Sequence, residues 1–244
     1  MKQYFARGPL MAALMLLALT GCVSMPKQQA YNRESHTNIK TIAVLGTTQA
    51  RPTVFMLNHP GASFGLIGGL IAAGDQASKQ KKFDAIVAQT GFEPLGYFKE
   101  QLTTRMSERG YTLVWPQSQV ETAKVERGSF GLRKAYTAAQ AADAQLDINF
   151  GFVGYAAAGA GDASPYRPTV TVGVRLVSPD GQQNYFTDFF AYNNVFNLGN
   201  AVAVDAGADY SYPDFDNLHA AGPKTVDGLK TAIDAIAAEV ARQL

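Results

Sequence analysis

Cysteine is almost absent from this chain of 244 residues, since Cys22 is its single cysteine. An intramolecular disulfide and a cysteine-based metal cage are therefore excluded. An excess of positive charge is also lacking. The formal net charge is +1, and removing Lys2 and Arg7 with an N-terminal signal leaves −1. Without a basic surplus, the chain is not expected to bind nucleic acid.

The longest apolar run near the N-terminus is short. It covers residues 9–19 and follows the cations Lys2 and Arg7. Because a membrane-spanning helix needs roughly 20 apolar residues, this run is typical of a signal peptide. Residues 19–22, Leu-Thr-Gly-Cys, resemble the lipobox of bacterial lipoproteins. The resemblance implies cleavage before Cys22 and attachment of lipid, including palmitate, to its thiol. An ordinary secretory signal with a chance cysteine, or a core helix, is the alternative.

The lipobox resemblance sets the expected organisation. Residues 1–21 form the signal peptide, 22–37 the lipidated cysteine with a flexible polar tether, and 38–244 a single domain. Val23 stands where an aspartate would favour the inner membrane of enteric-type bacteria, so the resemblance favours the outer membrane. The expected partner through Cys22 is thus the membrane itself, since several acyl chains anchor a protein permanently.

The first half of the domain alternates strands and helices. The strands expected from apolar, β-branched runs are 39–46, as a buried central strand, then 53–57 and 111–115. Residues 77–87 show a partial helical stripe, and 94–109 have apolar side chains at helical spacing, with Gly110 as a left-handed C-cap. The alanine-rich stretch 132–142 is predicted to be a further helix.

The second half favours antiparallel strands. Residues 146–156, 168–178 and 182–192 are strand-like, and Ser178-Pro179-Asp180-Gly181 predicts a hairpin between the last two. A small-residue linker is expected at 155–166. Residues 224–244 are predicted to form an amphipathic C-terminal helix, with Thr225 as a possible N-cap.

The resulting order, β-β-α-α-β-α-β-β-β-α, predicts one α/β domain with an α+β tendency: a mixed sheet with late antiparallel strands and packed helices. This order and the first strand, which contains Ile-Ala-Val-Leu-Gly at 42–46, resemble the periplasmic α/β domain of the Tol translocation protein and of curli-secretion-type lipoproteins. The resemblance implies a part in envelope assembly or secretion rather than catalysis.

Residues 61–65, Gly-Ala-Ser-Phe-Gly, match the G-x-S-x-G pattern of a serine nucleophile. Ser63 could then use His219 with Asp205 or Asp209. However, a hydrolase sheet normally builds several strands before its nucleophile, whereas only about forty mature residues precede Ser63. The main alternative is a glycine-rich turn, so an enzyme is not favoured and no cofactor is expected.

Residues 61–74 mix glycine with large apolar side chains. The segment is too short to span a bilayer, and its apolar side chains are expected to be shielded from water by other protein or by a membrane surface. It is either a helix or loop of the core, or an interaction surface for a protein partner, a second copy or a membrane surface. The candidate interaction residues here are Phe64, Leu66, Ile67 and Leu70.

A stretch rich in Asn, Asp and Tyr covers residues 193–216. It is a solvated loop, a recognition loop carrying Tyr210 and Tyr212, or a ligand or calcium site, although the EF-hand spacing is absent. His36, His59 and His219 fit no metal-binding pattern, and no metal is expected. The sequence therefore favours a lipid-anchored, non-enzymatic envelope protein that binds a partner or associates with itself.

Overall fold

The structure is a computed structural model, and it describes residues 26–48, 50–60, 63, 65–120, 124–138, 141–161 and 163–244. Cys22 and Phe64, two of the residues singled out above, lie outside these ranges. The side chain of Leu66 is not described either.

Seven strands form one mixed sheet, which confirms the predicted α/β class and the single domain. The strand order is β3-β1-β4-β5-β6-β7, and β2 pairs with β4. Pairing is parallel for β1 with β3 and β4, for β2 with β4, and for β6 with β7, and antiparallel for β4–β5 and β5–β6. The bounds are β1 Thr41–Val44, β2 Thr53–Asn58, β3 Thr112–Val114, β4 Ala144–Gly159, β5 Arg167–Val177, β6 Asn184–Tyr192 and β7 Val202–Val204.

β4 is long enough to serve two neighbours on one side. Its first residues pair with β1, and its last residues pair with β2. β1 is an interior strand, as predicted, but only Ile42 and Val44 are buried in it, so it is half-covered rather than buried on both faces. The Pro-Asp-Gly hairpin is confirmed: the Gly181 N–H donates to the Ser178 carbonyl, and Gly181 has φ +74°.

Four α-helices accompany the sheet in the described part of the chain: α1 Gly65–Thr90, α2 Pro94–Glu108, α3 Phe215–Ala221 and α4 Lys224–Gln243. α2 and α4 were both predicted. α4 buries its apolar stripe in a core shared with one face of the sheet, where alternate residues of β5 also point. These buried side chains are Val226, Leu229, Ile233, Ile236 and Val240 of α4, and Val170, Val172, Val174 and Leu176 of β5.

Three local predictions were wrong. The described residues of 132–142 are not helical, because their backbone bonds outward: the Arg133 N–H donates to Asp147 and the Thr137 carbonyl accepts from Gln145. Thr225 is not the N-cap of α4, since Pro223 holds that place. The 155–166 linker is shorter than expected because β4 continues to Gly159.

Two elements were not predicted. β7 lies in the polar stretch 193–216 that was interpreted as a loop, and α3 starts at the end of that stretch. The N-cap of α3 is Asp214, whose carboxylate accepts from the Asn217 N–H at 2.8 Å. Across the described residues, the helices are all too short or too polar to cross a membrane.

Candidate functional site

α1 runs antiparallel to β2, and side-chain contacts fix the alignment. Arg51, before β2, pairs with Asp84 at 2.5 Å, and the Gln80 amide donates to the Pro52 carbonyl at 3.0 Å. At the other end, His59 lies 3.1 Å from Asp75. Moving along β2 therefore means moving backwards along α1, from Asp84 to Asp75.

The residues of α1 before Asp75 extend past the end of β2. Ten residues, 65–74, make an overhang of about 15 Å at 1.5 Å per residue. Ile67, Leu70 and Ile71 are 74%, 67% and 65% exposed. These three side chains are therefore not part of the core, which favours the interaction-surface alternative for this part of the glycine-rich segment. Its apolar side chains occupy positions i, i+3 and i+4, which lie on one side of a helix.

An ionic cluster secures the base of this overhang. Asp75 accepts from His59 at 3.1 Å and from Lys79 at 2.6 Å. Burial alone would raise the pKa of Asp75, but the hydrogen bonds from Lys79 and His59 outweigh burial and lower it. The carboxylate is therefore stabilised in its charged form at the point where α1 leaves the sheet.

An aromatic groove lies on the face of the sheet opposite α4. Its volume is about 570 Å³. Side chains from three strands and two connecting segments surround it, and among its described lining residues none is charged. They are Thr53, Phe55, Phe130, Gly151, Phe152, Thr171, Phe196 and Leu198.

One wall of the groove depends on a buried polar cluster. The carboxylate of Asp147, which is fully buried, accepts from the Arg133 N–H at 2.7 Å and the Tyr136 hydroxyl at 3.0 Å. Arg127 lies 3.6 Å from the same carboxylate. These contacts hold the segment that presents Phe130. Phe130 has φ +60°, and its carbonyl accepts from the Asn149 amide at 3.3 Å.

The opposite wall is the connection between β6 and β7. Phe196 packs on Phe152 with ring centroids 5.0 Å apart. Asn193 and Asn197 adopt left-handed backbone conformations, with φ of +56° and +48°, which asparagine tolerates better than most residues. The Asn194 carboxamide also accepts from the Leu198 N–H at 2.9 Å. The asparagine-rich sequence thus shapes a turn that presents two apolar side chains to the groove.

Part of the predicted tether is bound to the sheet. Gln29 and Thr187 exchange two backbone hydrogen bonds of 2.9 Å in an antiparallel bridge beside β6. The Gln28 amide donates to Asp188 at 2.5 Å and to the Asn200 carbonyl at 2.7 Å. Gln28 therefore lies beside the segment that forms the second wall of the groove.

The residues of the serine-hydrolase alternative lie in separate elements. Ser63 is exposed between β2 and α1, His219 is on α3, and Asp205 follows β7. Within the described residues, no hydrogen bond or ion pair joins these three side chains. The His219 ring instead stacks on Phe215, with centroids 6.1 Å apart.

The tyrosines of the proposed recognition loop are half-buried. Tyr212 exchanges backbone hydrogen bonds with Tyr166, at 2.8 and 2.9 Å, and its ring lies 5.7 Å from Tyr155. Tyr210 lies over Gly228 of α4. Both residues therefore contribute to packing. Among the described residues, no group of three or more His, Cys, Asp or Glu side chains is placed to hold a metal ion.

Sequence reasoning missed the aromatic groove. Phe55, Phe130, Phe152 and Phe196 are widely separated along the chain. The outward positions of Phe55 and Phe152 follow from strand alternation and a bulge in β4 between Phe150 and Phe152. Only pairing of the strands brings these rings together.

Comparisons with known proteins identify no family. No family model matches the chain, and no curated protein does. Among solved structures, one similar chain is described as a neuraminyllactose-binding hemagglutinin homolog from Helicobacter pylori. It has a TM-score of 0.31 and 8% identity over 91% of each chain. A likeness at that level shows neither a family nor a function. The structure itself shows a single-domain α/β protein.

Proposed function

We propose that this protein is a lipid-anchored, non-enzymatic lipoprotein of the bacterial cell envelope, placed in the outer membrane, which binds a protein partner through the overhang of α1. The observation that carries the proposal is the exposure of Ile67, Leu70 and Ile71 at the N-terminal end of α1, which extends beyond the end of β2. Residues 65–74 include no charged residue, so water solvates this end poorly. An exposed apolar surface of this kind is typical of protein interaction sites.

The anchor and the docking surface are tested separately. Labelled palmitate is expected to be incorporated into the full chain and not into a Cys22→Ser variant. Incorporation that is equal in both would remove the anchor from the proposal. It would leave the docking surface open to its own test.

The docking surface is tested by photocrosslinking in cells. A photoreactive phenylalanine analogue replaces Leu70 in one variant and Val114 in a control. Val114 is 50% exposed at the end of β3, which is an edge strand of the sheet. UV-dependent protein adducts are expected at position 70 and not at 114, and their mass separates a second copy from another envelope protein. Equal adduct yields at the two positions would refute the docking role.

A further inference from the structure

We infer that the aromatic groove holds an acyl chain of the lipid carried on Cys22 of the same molecule. The inference rests on the lipidation in the proposed function, and it concerns a surface other than the α1 overhang.

The chemistry of the groove fits a ligand without polar groups. At about 570 Å³ it lies within the range of roughly 300–1,000 Å³ typical of small-molecule sites. Its described lining offers four phenyl rings and one leucine against two threonine hydroxyls. A polar ligand would lose its hydrogen bonds to water there and would gain few from the groove. A hydrocarbon chain makes no hydrogen bonds to water, so its burial has no such cost.

A glycine keeps the floor of the groove open at one point. Gly151 of β4 lines the groove and is exposed. Its lack of a Cβ matters, because a Cβ there would approach the Thr171 hydroxyl oxygen to 2.8 Å. An occupant of the groove can therefore contact the β4 backbone at Gly151, between the two aromatic walls.

The tether puts the lipid within reach of the groove. Gln28 is bonded to the carbonyl of Asn200, two residues after the groove residue Leu198. Cys22 lies six residues before Gln28, which allows at most about 22 Å of extended chain. The tether is antiparallel to β6 at Gln29, and Gln28 lies beside Asp188. The next residue of β6, Phe189, packs on the groove residue Phe130, with ring centroids 4.9 Å apart.

This attachment favours the protein's own lipid over a foreign one. A short tether raises the effective concentration of its ligand to the millimolar range. A free fatty acid would have to compete with that concentration. The groove then shields one acyl chain from water whenever the anchor is not fully inserted in a bilayer.

A fluorescent fatty acid tests the chemistry of the groove. The Cys22→Ser chain, which carries no lipid, is titrated with a dansyl-labelled undecanoic acid. Saturation at one probe per molecule is expected. Phe196→Ser, which removes apolar lining, and Leu198→Trp, which fills the groove, should each weaken binding about tenfold. The matched control Val114→Ser should leave binding unchanged. A lack of probe binding, or equal binding by all four proteins, overturns the inference.

A photoreactive lipid tests the source of the occupant. Cells producing the full chain are fed palmitic acid that carries a diazirine, illuminated, and the protein is digested for mass spectrometry. Crosslinks from Cys22 to peptides containing Phe152 or Phe196 of the same molecule are expected, and Leu198→Trp should abolish them. If Cys22 carries the lipid but crosslinks only to phospholipid, the inference fails while the lipid anchor stands. If Cys22 carries no lipid, the anchor itself fails.

Discussion

Replacing Asp147 by alanine is expected to be strongly destabilising. The substitution removes acceptors for the Arg133 N–H at 2.7 Å and the Tyr136 hydroxyl at 3.0 Å. It also leaves the side chains of Arg127 and Arg133 without a carboxylate that now lies 3.6 and 3.9 Å away in a buried site. Breaking a buried ion pair from one side costs about 3–5 kcal/mol.

This cost translates into a measurable shift in thermal unfolding. For a domain of this size, 1 kcal/mol moves the melting temperature by roughly 2–4 °C, so Asp147→Ala should melt about 6–20 °C lower. Differential scanning calorimetry on the Cys22→Ser background measures the shift. The Asn variant, which keeps one acceptor oxygen, should lie between wild type and alanine.

The control is an ion pair of the same type at a partly exposed position. Asp234 pairs with Arg105 at 2.6 Å, and their side chains are 38% and 32% exposed. Solvent screens such a pair, and Asp234→Ala should cost about 0–1 kcal/mol. If Asp147→Ala costs no more than Asp234→Ala, then the buried cluster does not stabilise the segment that presents Phe130.

Two further predictions concern glycines and the base of the overhang. Gly228→Ala should lower the melting temperature by overpacking at a cost of about 1–3 kcal/mol, because its new Cβ would overlap the Tyr155 hydroxyl and crowd Tyr210. Gly69→Ala in α1, where the added Cβ meets nothing within 4 Å, should instead stabilise by up to about 1 kcal/mol, and the reverse order in calorimetry would contradict the packing described here. The lowered pKa of Asp75 means that its contribution to stability is present above its ordinary value of 3.8 and is lost as the pH falls through the folded-state pKa. Melting curves of wild type and Asp75→Asn should therefore differ at neutral pH and converge in acid, and a difference that does not shrink as the pH is lowered would show that the carboxylate charge is not responsible.

Predictions from the sequence were right wherever one local pattern decided the structure. Leu95, Phe98, Leu102 and Met106 recur at helical spacing before Gly110, and α2 ends there with Gly110 at φ +85°. The stripe of α4 has the same regularity. In both helices, the spacing of apolar residues predicts which face is buried, even when the elements that pack on it are unknown.

Local reasoning failed where distant residues decided the conformation. The alanine-rich stretch near 132–142 has helical propensity, yet Arg133 and Tyr136 bond to Asp147 on β4, and these tertiary contacts outweigh propensity. Likewise, the segment before Asp75 is apolar in either alternative. Its exposure depends on where β2 ends.

The sequence by itself determined the apolar periodicity of the main strands and helices, the hairpin at Gly181 and the absence of disulfides. These features depend on residues close together in the chain or on composition alone. Only the tertiary structure decided that α1 extends past the end of β2. It also decided that Asp147 holds the segment carrying Phe130, and that Phe152 and Phe196 pack together at one groove. Each of these depends on how segments far apart in the chain pair and pack, which no local pattern specifies.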